Sequence, residues 1–476
     1  MSVVLTGSDL TIADVVAVAR DRTSVALADG AAERMAGTRA VVDGSLARGD
    51  EVYGLTTGAG VLKRVGIPTD ADTLASFGIA MLRGHRVAHG ESAPADVTRA
   101  TMVCLANTLA RGTAGVRPAI VERIVEMLNG TEQPVLRTLG SIGQADLATM
   151  ADLALAVAAA SPLAPGEALA LLNNNAFSIG WAALSIADAT RLVESTEAAG
   201  ALSLEAFEAN LTMLHPGIDA AIPSAGLARS RAHVAELLDG SSLFEAGNAR
   251  NLQDPLTFRN VPQIMGAVRD VLAFAEAQVV VAMNASQGNP IVVAGEDRPV
   301  SVGNYENLPV ALAADSVRAA LATAVSASSE RAVKLLETTW SGLPTGLTRG
   351  AERGEGGLEI LGIAVQSFAA EARLLAQPVS FELVSTSHAE GIEDRMTMAP
   401  LAVRRLSEMI EMARMVVASE LVVAAQATEL RGRTELGSGT RRTLEAVRER
   451  FPFFDETDLA EHDIDSVVEL VRDGTP

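Results

Sequence analysis

The two tyrosines of the chain, Tyr53 and Tyr305, both lie in glycine-flanked segments and not on an apolar helical stripe. A phenol in a loop can act as a general acid or base when its surroundings adjust its pKa. Arg259, in QDPLTFRNVPQ, lies beside a proline-bounded turn, and its planar guanidinium can hold a carboxylate through two hydrogen bonds. These residues fit acid–base chemistry on a substrate that carries a carboxylate.

Each of these residues also has a structural interpretation. A tyrosine can simply pack in the core, and an arginine can bridge two helix ends. Glu371, in FAAEARLLAQP, is either a solvated partner of a residue one helical turn away or an acid that faces inward. Spacing along the chain does not separate these alternatives.

Residues 140–156 read GSIGQADLATMADLALA, a glycine-punctuated turn that runs straight into an alanine-rich helix. Ser141 lies between two glycines, and Asp146 stands where the helix should begin. The segment Gly143 to Asp146 would therefore lie at the positive end of a helix dipole, which stabilises negative charge.

Motifs for a metal or a nucleotide are weak. His85 and His89 have the i,i+4 spacing of a helical metal pair, but no third ligand is evident nearby, so no metal is expected. No Walker or dinucleotide motif is present. The single Cys104 cannot form an intramolecular disulfide and is expected to be a buried thiol in a reducing cytoplasm.

Composition narrows the class of protein. The 476 residues are 48% hydrophobic but only 3% aromatic, which predicts a mostly helical core of small aliphatic side chains. A net charge of −21 disfavours a nucleic-acid partner. The amino terminus does not resemble a signal peptide, and the apolar runs noticed, such as LALAVAAASPLA, are too short or too interrupted to span a bilayer. No membrane association is expected.

Helical periodicity extends over unusually long segments, at about 264–286, 308–337, 357–377 and 400–431. These segments are apolar around much of their circumference, which predicts an all-α fold with an elongated central helical bundle that neighbouring subunits also shield. Residues 1–195 form a first region of shorter helices and mixed loops, which carries the Tyr53 loop. Residues 196–476 form the long-helix region.

Several of these stretches, in order along nearly the whole chain, resemble the histidine and aromatic amino acid ammonia-lyase family. VYGLTTGAG is similar to the family's Tyr-Gly-x-Asn-Thr-Gly-x-Gly loop, and LLNNN to Leu-Leu-Asn-Gly-Thr. QDPLTFRNVPQIMG is similar to Gln-Asp-Pro-Tyr-Ser-x-Arg-x-x-Pro-Gln-x-x-Gly. ANTLARGTAGVR, SQGNP, VGNYEN and IEDRMTMAP match further signatures.

The resemblance implies an all-α homotetramer whose active sites each draw loops from three subunits. It implies that Tyr53 is the catalytic tyrosine and that Asn173 and Arg259 bind the substrate carboxylate. His85 and Glu371 match an active-site histidine and glutamate. Further pocket positions are Gln253, Asn289 and Tyr305.

Three positions depart from the family pattern. In the family, an Ala-Ser-Gly triad that precedes an Asp cyclises into an electrophilic methylidene-imidazolone. Here only two residues, Gln144 and Ala145, stand between Gly143 and Asp146, and the precursor serine is missing. Leu256 replaces a pocket tyrosine, and GIED at 391–394 replaces Asn-Gln-Glu-Asp. Residues Gly143 to Asp146 thus form a degenerate prosthetic-group site, and no cofactor is expected.

The sequence therefore predicts an ammonia-lyase-like enzyme that has lost its electrophile. It would catalyse elimination, addition, isomerisation or cyclisation of a small, amino-acid-derived carboxylate, with Tyr53, Glu371 and Tyr305 as proton carriers. Two alternatives stay open: a non-catalytic homologue that binds a metabolite or serves as a scaffold, and a true ammonia-lyase with an atypical self-made cofactor.

The first prediction concerns the prosthetic group itself. The methylidene carbon derives from a serine side chain, and no serine occupies positions 143–146. The intact mass should equal that of the encoded chain after any amino-terminal processing. A loss of two waters that maps to residues 140–147 would contradict this expectation.

Overall fold

Helices dominate the computed structural model, which describes residues 2–380, 388–455 and 463–476. This confirms the predicted all-α class. Four long helices occur where periodicity predicted them: 264–286 is observed as Val261–Met283, 308–337 as Leu308–Leu336, 357–377 as Glu359–Leu375 and 400–431 as Ala399–Arg431. The hydrophobic pattern located each helix because its period is set by the helix itself.

The described residues also form shorter and further α-helices. They are Ile12–Ala19, Asp29–Arg48, Ala71–His85, Ala95–Ala110, Pro118–Asn129, Leu147–Ala160, Glu167–Leu172, Ala176–Phe207, Ile218–Ala221, Ala225–Leu237, Leu256–Arg259, Thr338–Ser341, Ser438–Arg450 and Ile464–Asp473. Strand Val3–Leu5 pairs in parallel with Val25–Leu27, and His89–Ser92 pairs antiparallel with Arg137–Leu139. These short ladders are confined to the first third of the chain.

The chain divides into two compact units. The first comprises residues 1–187, 275–314 and 378–404, and the second comprises 188–274, 315–377 and 405–476. The boundary predicted at residue 195 falls inside helix Ala176–Phe207. The assignment of 1–195 and 196–476 as functional regions stays a prediction.

The core of the first unit is built around helix Ala95–Ala110, which is buried at every position from Val97 to Ala110. Gly180 allows the start of helix Ala176–Phe207 to touch this helix, because a Cβ at Gly180 would lie 2.7 Å from the backbone carbon of Ala100. Cys104 lies in this core as predicted, and burial raises the pKa of its thiol to about 12.

The core of the second unit contains a buried ion pair. Arg331 Nε lies 2.6 Å from Glu420 Oε1, and both side chains are almost fully buried. Ser203 and Ser328 also donate to this carboxylate, at 2.6 and 2.5 Å. Three long helices are thereby joined by one hydrogen-bonded group, which satisfies a charge that would otherwise be costly to bury.

One helix, Leu308–Leu336, is long and apolar enough to cross a membrane by length and composition alone. The hydrophobic pattern of this segment predicted a long helix and not a membrane span. Of its most apolar 18-residue window, 56% is buried inside the protein. A buried core helix passes the same test, so this helix is weak support for a membrane span.

Candidate active site

One pocket of the first unit collects most of the polar residues that the sequence analysis selected. All of its lining residues belong to this unit. The selected ones are Tyr53, His85, Gln144, Asn173, Asn289 and Tyr305, and the polar lining also includes Ser301 and Glu393. Residues from six separate parts of the chain thus meet at one place.

Tyr53 lies in a turn that follows helix Asp29–Arg48, and its side chain is half-buried. The backbone N–H of Gly60 donates to the phenol oxygen at 2.8 Å, within the loop that both residues share. The turn is closed by Thr56, whose hydroxyl accepts from the backbone N–H of Val52 and donates to the carbonyl of Asp50. A fixed donor at the phenol oxygen stabilises negative charge that develops there during proton transfer.

Tyr305 is the second phenol of the pocket, and its backbone carbonyl accepts from Asn175 Nδ2 at 2.8 Å. Burial raises the pKa of this tyrosine, and the nearby Glu393, Tyr53 and Glu306 raise it further. Tyr305 is therefore held in its protonated form, as a hydrogen-bond donor and not as a base.

His85 ends helix Ala71–His85, and its Nδ1 lies 2.8 Å from the carbonyl oxygen of Met81. Because a carbonyl only accepts, Nδ1 carries a hydrogen that it donates to Met81, and Nε2 takes no part in this contact. His89 lies on strand His89–Ser92 and not on that helix. No group of three or more His, Cys, Asp or Glu residues suited to a metal occurs in the described part of the chain.

Asn173 and Asn289 form one wall of the pocket. Asn173 Nδ2 donates to the carbonyl of Asn289 at 3.0 Å, and the backbone N–H of Val302 donates to Asn289 Oδ1 at 2.8 Å. These contacts connect the start of helix Ala176–Phe207 with the 286–305 loops. The side-chain oxygen Oδ1 of Asn173 takes part in neither of these two hydrogen bonds.

The degenerate loop is fixed from both sides. Thr397 Oγ1 donates to the carbonyl of Gly143 at 2.8 Å, and a Cβ at Gly143 would lie 2.1 Å from that hydroxyl. Gly143 has a φ of 81°, and Ala145 has a φ of 58°, which is unusual for a residue with a side chain. Gln144, between them, pairs through its backbone with Glu306.

Asp146 is fully buried at the end of this loop. Its Oδ2 accepts from both the backbone N–H and the hydroxyl of Ser178, each at 2.8 Å, while Oδ1 is buried without a hydrogen-bond partner in the described residues. Burial raises the pKa of Asp146 to about 7, although the two hydrogen bonds from Ser178 oppose the shift.

The residues of this loop do not fit a methylidene-imidazolone. Gln144 and Ala145 offer no hydroxyl to eliminate, and the Gln144 side chain is engaged with Glu306 through a 2.9 Å hydrogen bond. The hydroxyl of Ser141, the nearest serine along the chain, lies 3.5 Å from the backbone nitrogen of Thr149, at the start of the next helix. No catalytic step is therefore assigned to this group.

The remaining selected residues belong to the second unit. Gln253, Leu256 and Glu371 are exposed there, and Leu256 and Arg259 lie on the short helix Leu256–Arg259. Arg259 is half-buried, and its Nε is buried without a hydrogen-bond partner in the residues that the structure describes. A guanidinium with an unmet donor is a candidate for binding an anion.

Sequence reasoning did not select Glu306 or Glu393, which surround Tyr305. Glu306 follows Tyr305 directly in the chain, so the sequence alone could have placed it near that phenol. Its contact with Gln144 spans 162 residues and has no local sequence signal. Glu393 was noticed only as part of the divergent GIED segment. Arg395 Nε lies 3.1 Å from Glu306 Oε2 and extends this group.

Comparison with known proteins identifies relatives over almost the whole chain. The profile of aromatic amino acid lyases matches residues 10–162 and 158–449. A histidine ammonia-lyase of Caldanaerobacter subterraneus subsp. tengcongensis is 32% identical over 99% of this chain and 97% of its own. Ergothionase, an ergothioneine-degrading enzyme from Treponema denticola, has a TM-score of 0.93 at 26% identity, covering 99% of both chains. Tyrosine aminomutase from Streptomyces globisporus has a TM-score of 0.91 at 25% identity, covering 100% of this chain and 97% of its own.

The buried Asp146 generates a prediction about pH. Because its folded-state pKa is raised from 3.8 to about 7, its contribution to stability is complete below about pH 4 and is lost as the pH rises through about 7. Asp146→Asn stays neutral and keeps an acceptor for Ser178. Relative to the wild type, it should gain stability from pH 4 to 7, by at most about 4 kcal/mol, and gain no more above pH 7.

Thermal unfolding of both proteins across this pH range measures the difference. Asp72→Asn, at an exposed position, controls for the general loss of a carboxyl group. A difference between Asp146→Asn and the wild type that is the same at pH 5 and pH 8 would contradict the assignment.

Proposed function

The chain belongs to the aromatic amino acid lyase family, and on that premise we propose that it catalyses elimination from a small, amino-acid-derived carboxylate without a methylidene-imidazolone. The lyase-like character rests on the family. The substrate, the reaction type and the lack of the prosthetic group are the proposal. Cytoplasmic location, which the single buried Cys104 favours, belongs to the proposal as well.

The observation that carries the proposal is the pairing of two unlike phenols in one pocket. Tyr305 is held protonated, whereas Tyr53 has a backbone donor aimed at its oxygen. One phenol can therefore donate a hydrogen bond while the other exchanges a proton with the substrate. A scaffold protein needs no such division, so the arrangement favours catalysis over the non-catalytic alternative.

In the proposed reaction, Tyr53 acts as a phenolate: it removes a proton from the carbon next to the one that bears the leaving group, and it becomes a neutral phenol. The electron pair of the broken C–H bond forms the new double bond, and the leaving group departs with the electrons of its own bond to carbon. Because no electrophile activates the leaving group, the substrate must bring an activated proton and a group that leaves readily. This requirement argues against ordinary deamination of an aromatic amino acid.

The carboxylate of the substrate is assigned to Arg259 and Asn173. The unmet Nε of Arg259 supports this role, and Asn173 lines the pocket that holds both phenols. Glu371 completes the proton relay in the proposal, and Gln253 and Asn289 contribute polar contacts. The resemblance implies that residues from different subunits share one site, so Arg259 and Tyr53 need not come from the same chain.

Isomerisation is the second candidate reaction. A likeness at 25% identity to tyrosine aminomutase supports it, because an isomerase returns the released group to a neighbouring carbon. Product analysis separates the two reactions, since elimination releases an amine and an alkene and isomerisation releases neither.

The proposed assembly is a homotetramer. Helix Val261–Met283 carries an exposed stripe at seven-residue spacing, formed by Ala267, Phe274 and Val281. Phe274 is 46% exposed and Val281 is 67% exposed. An apolar stripe with this spacing is suited to packing against another helix, here that of a second copy.

Sedimentation at micromolar concentration should therefore show one species of four chains. Phe274→Glu places a charge in the stripe and should shift the protein to smaller species, because burial of an unpaired charge is costly. Ala273→Glu, at an exposed position outside the stripe, is the matched control and should leave the assembly intact. A stable wild-type monomer would overturn both the assembly and the shared site.

The role of Tyr53 is tested by Tyr53→Phe, which removes only the hydroxyl. Turnover should fall by about 100-fold or more, the range that general acid–base catalysis supplies, while ligand affinity changes little. Steady-state kinetics and titration calorimetry on the same preparation measure the two quantities. Full turnover of an authentic substrate by this variant would show that Tyr53 does not carry the proton.

Arg259→Met should produce the opposite pattern. It removes a charge-assisted, two-point contact and roughly keeps the bulk of the stem, so affinity for the carboxylate should fall by about tenfold or more. Arg259→Lys keeps the positive charge but loses the planar guanidinium. Its affinity for the carboxylate should therefore lie between those of the wild type and Arg259→Met. If amino-acid-derived carboxylates bind through Arg259 and none is turned over, the non-catalytic alternative is the better account.

A further inference from the structure

The loop at residues 143–146, which corresponds to the family's prosthetic-group site, contributes a polar side chain to the pocket. Gln144 lies at its centre, lines the pocket together with both phenols and is only 8% exposed. We propose that Gln144, oriented by Glu306, binds the positively charged nitrogen of the substrate. This inference rests on the proposed function, because it concerns a substrate derived from an amino acid.

The orientation of the Gln144 amide follows from its partner. Gln144 Nε2 lies 2.9 Å from Glu306 Oε2, and a carboxylate only accepts, so the NH₂ end of the amide must face Glu306. The other end, Oε1, has no hydrogen-bond partner within the described residues. An amide oxygen is an acceptor, and the pocket that Gln144 lines therefore gains an acceptor for a donor on the ligand.

The position of Gln144 is fixed by its backbone. It pairs with Glu306 in an antiparallel bridge, and the next peptide is anchored where the N–H of Asp146 donates to the carbonyl of Asn174 at 2.9 Å. On the other side, the carbonyl of Gly143 accepts from Thr397. Because the backbone is held on both sides of Gln144 and its amide is bonded to Glu306, the side chain loses little conformational entropy when a ligand binds. Such a contact favours selective binding.

The charges around the pocket favour a cation. Glu393 is the one carboxylate among the lining residues that the structure describes, and no lysine or arginine is among them. Behind Gln144, Glu306 Oε1 is buried without a hydrogen-bond partner in the described chain. Arg395 contacts Glu306 at the other oxygen, Oε2, and so offsets part of that charge.

The consequence is an oriented substrate. A zwitterion would place its cationic nitrogen at Gln144 and Glu393, and its carboxylate at the proposed Arg259 and Asn173 contacts. The contact acts on recognition, since positive charge on the nitrogen disappears as the bond to carbon breaks and is not stabilised further in the transition state. Gln144 is in this sense a specificity-determining residue.

Matched ligand pairs test the inference on the intact protein. L-histidine is compared with 3-(imidazol-4-yl)propionate, and L-tyrosine with 3-(4-hydroxyphenyl)propionate, so that the members of each pair differ only by the ammonium group. Calorimetry should show that the wild type prefers the amino acid of at least one pair by about tenfold or more. Gln144→Met should remove that preference and leave binding of the deamino acid unchanged.

Two further variants complete the comparison. Glu306→Gln removes the charge and the constraint on the amide orientation, so it should reduce the same preference. Gln133→Met removes an exposed amide outside the pocket and should retain it. Equal affinity of the wild type for both members of every pair that binds, or a preference that survives in Gln144→Met, would overturn the inference.

A test without any ligand separates this inference from the proposed function. Gln144→Lys places a tethered ammonium at the same position, and Gln144→Met places an apolar side chain of similar length there. If the site suits a cation, the lysine variant should unfold at a temperature equal to or above that of the methionine variant. A clearly lower unfolding temperature for the lysine variant would overturn the inference, whereas failure of all four ligands to bind would instead count against the proposed substrate class.

Discussion

The contact between Asp146 and Ser178 is the interaction on which the site depends. A buried carboxylate accepts two hydrogen bonds at the start of the 32-residue helix Ala176–Phe207, where backbone N–H groups lack partners inside the helix. The Ser178 hydroxyl also accepts from Asn307 Nδ2 at 2.9 Å, two residues beyond Tyr305. One carboxylate thereby positions the degenerate loop, the helix and the second phenol relative to one another.

This arrangement is costly for the folded state, because Asp146 keeps one buried oxygen without a partner and its pKa is raised by burial. This free-energy cost of burying an unsatisfied carboxyl oxygen falls at the site. In the second unit, by contrast, both carboxylate oxygens of Glu420 in the buried Arg331–Glu420 pair accept hydrogen bonds. Functional sites commonly hold such imperfectly satisfied groups, and rigid surrounding helices maintain them. The long helices of this fold supply that rigidity.

In the proposed function, the absence of a serine at positions 143–146 changes what the pocket has to do. A relative with an electrophile can activate a poor leaving group, but a pocket equipped with phenols, amides and carboxylates can only bind, orient and move protons. Gln144 in this loop donates a hydrogen bond to the distant Glu306, so the two residues form a connected polar pair. In the proposed function, selectivity for a suitably activated substrate replaces activation by the protein.

The sequence by itself determined the all-α class, the bounds of four long helices to within a few residues, and the loops that carry Tyr53 and Tyr305. Periodicity and glycine placement are local properties, so one sequence suffices to locate them. It did not reveal that residues 176–207 form a single helix, or that Gln144 contacts Glu306 across 162 positions. Only the tertiary structure decided these, because which polar group meets which across a folded core depends on packing between distant segments, and periodicity along the chain carries no record of it.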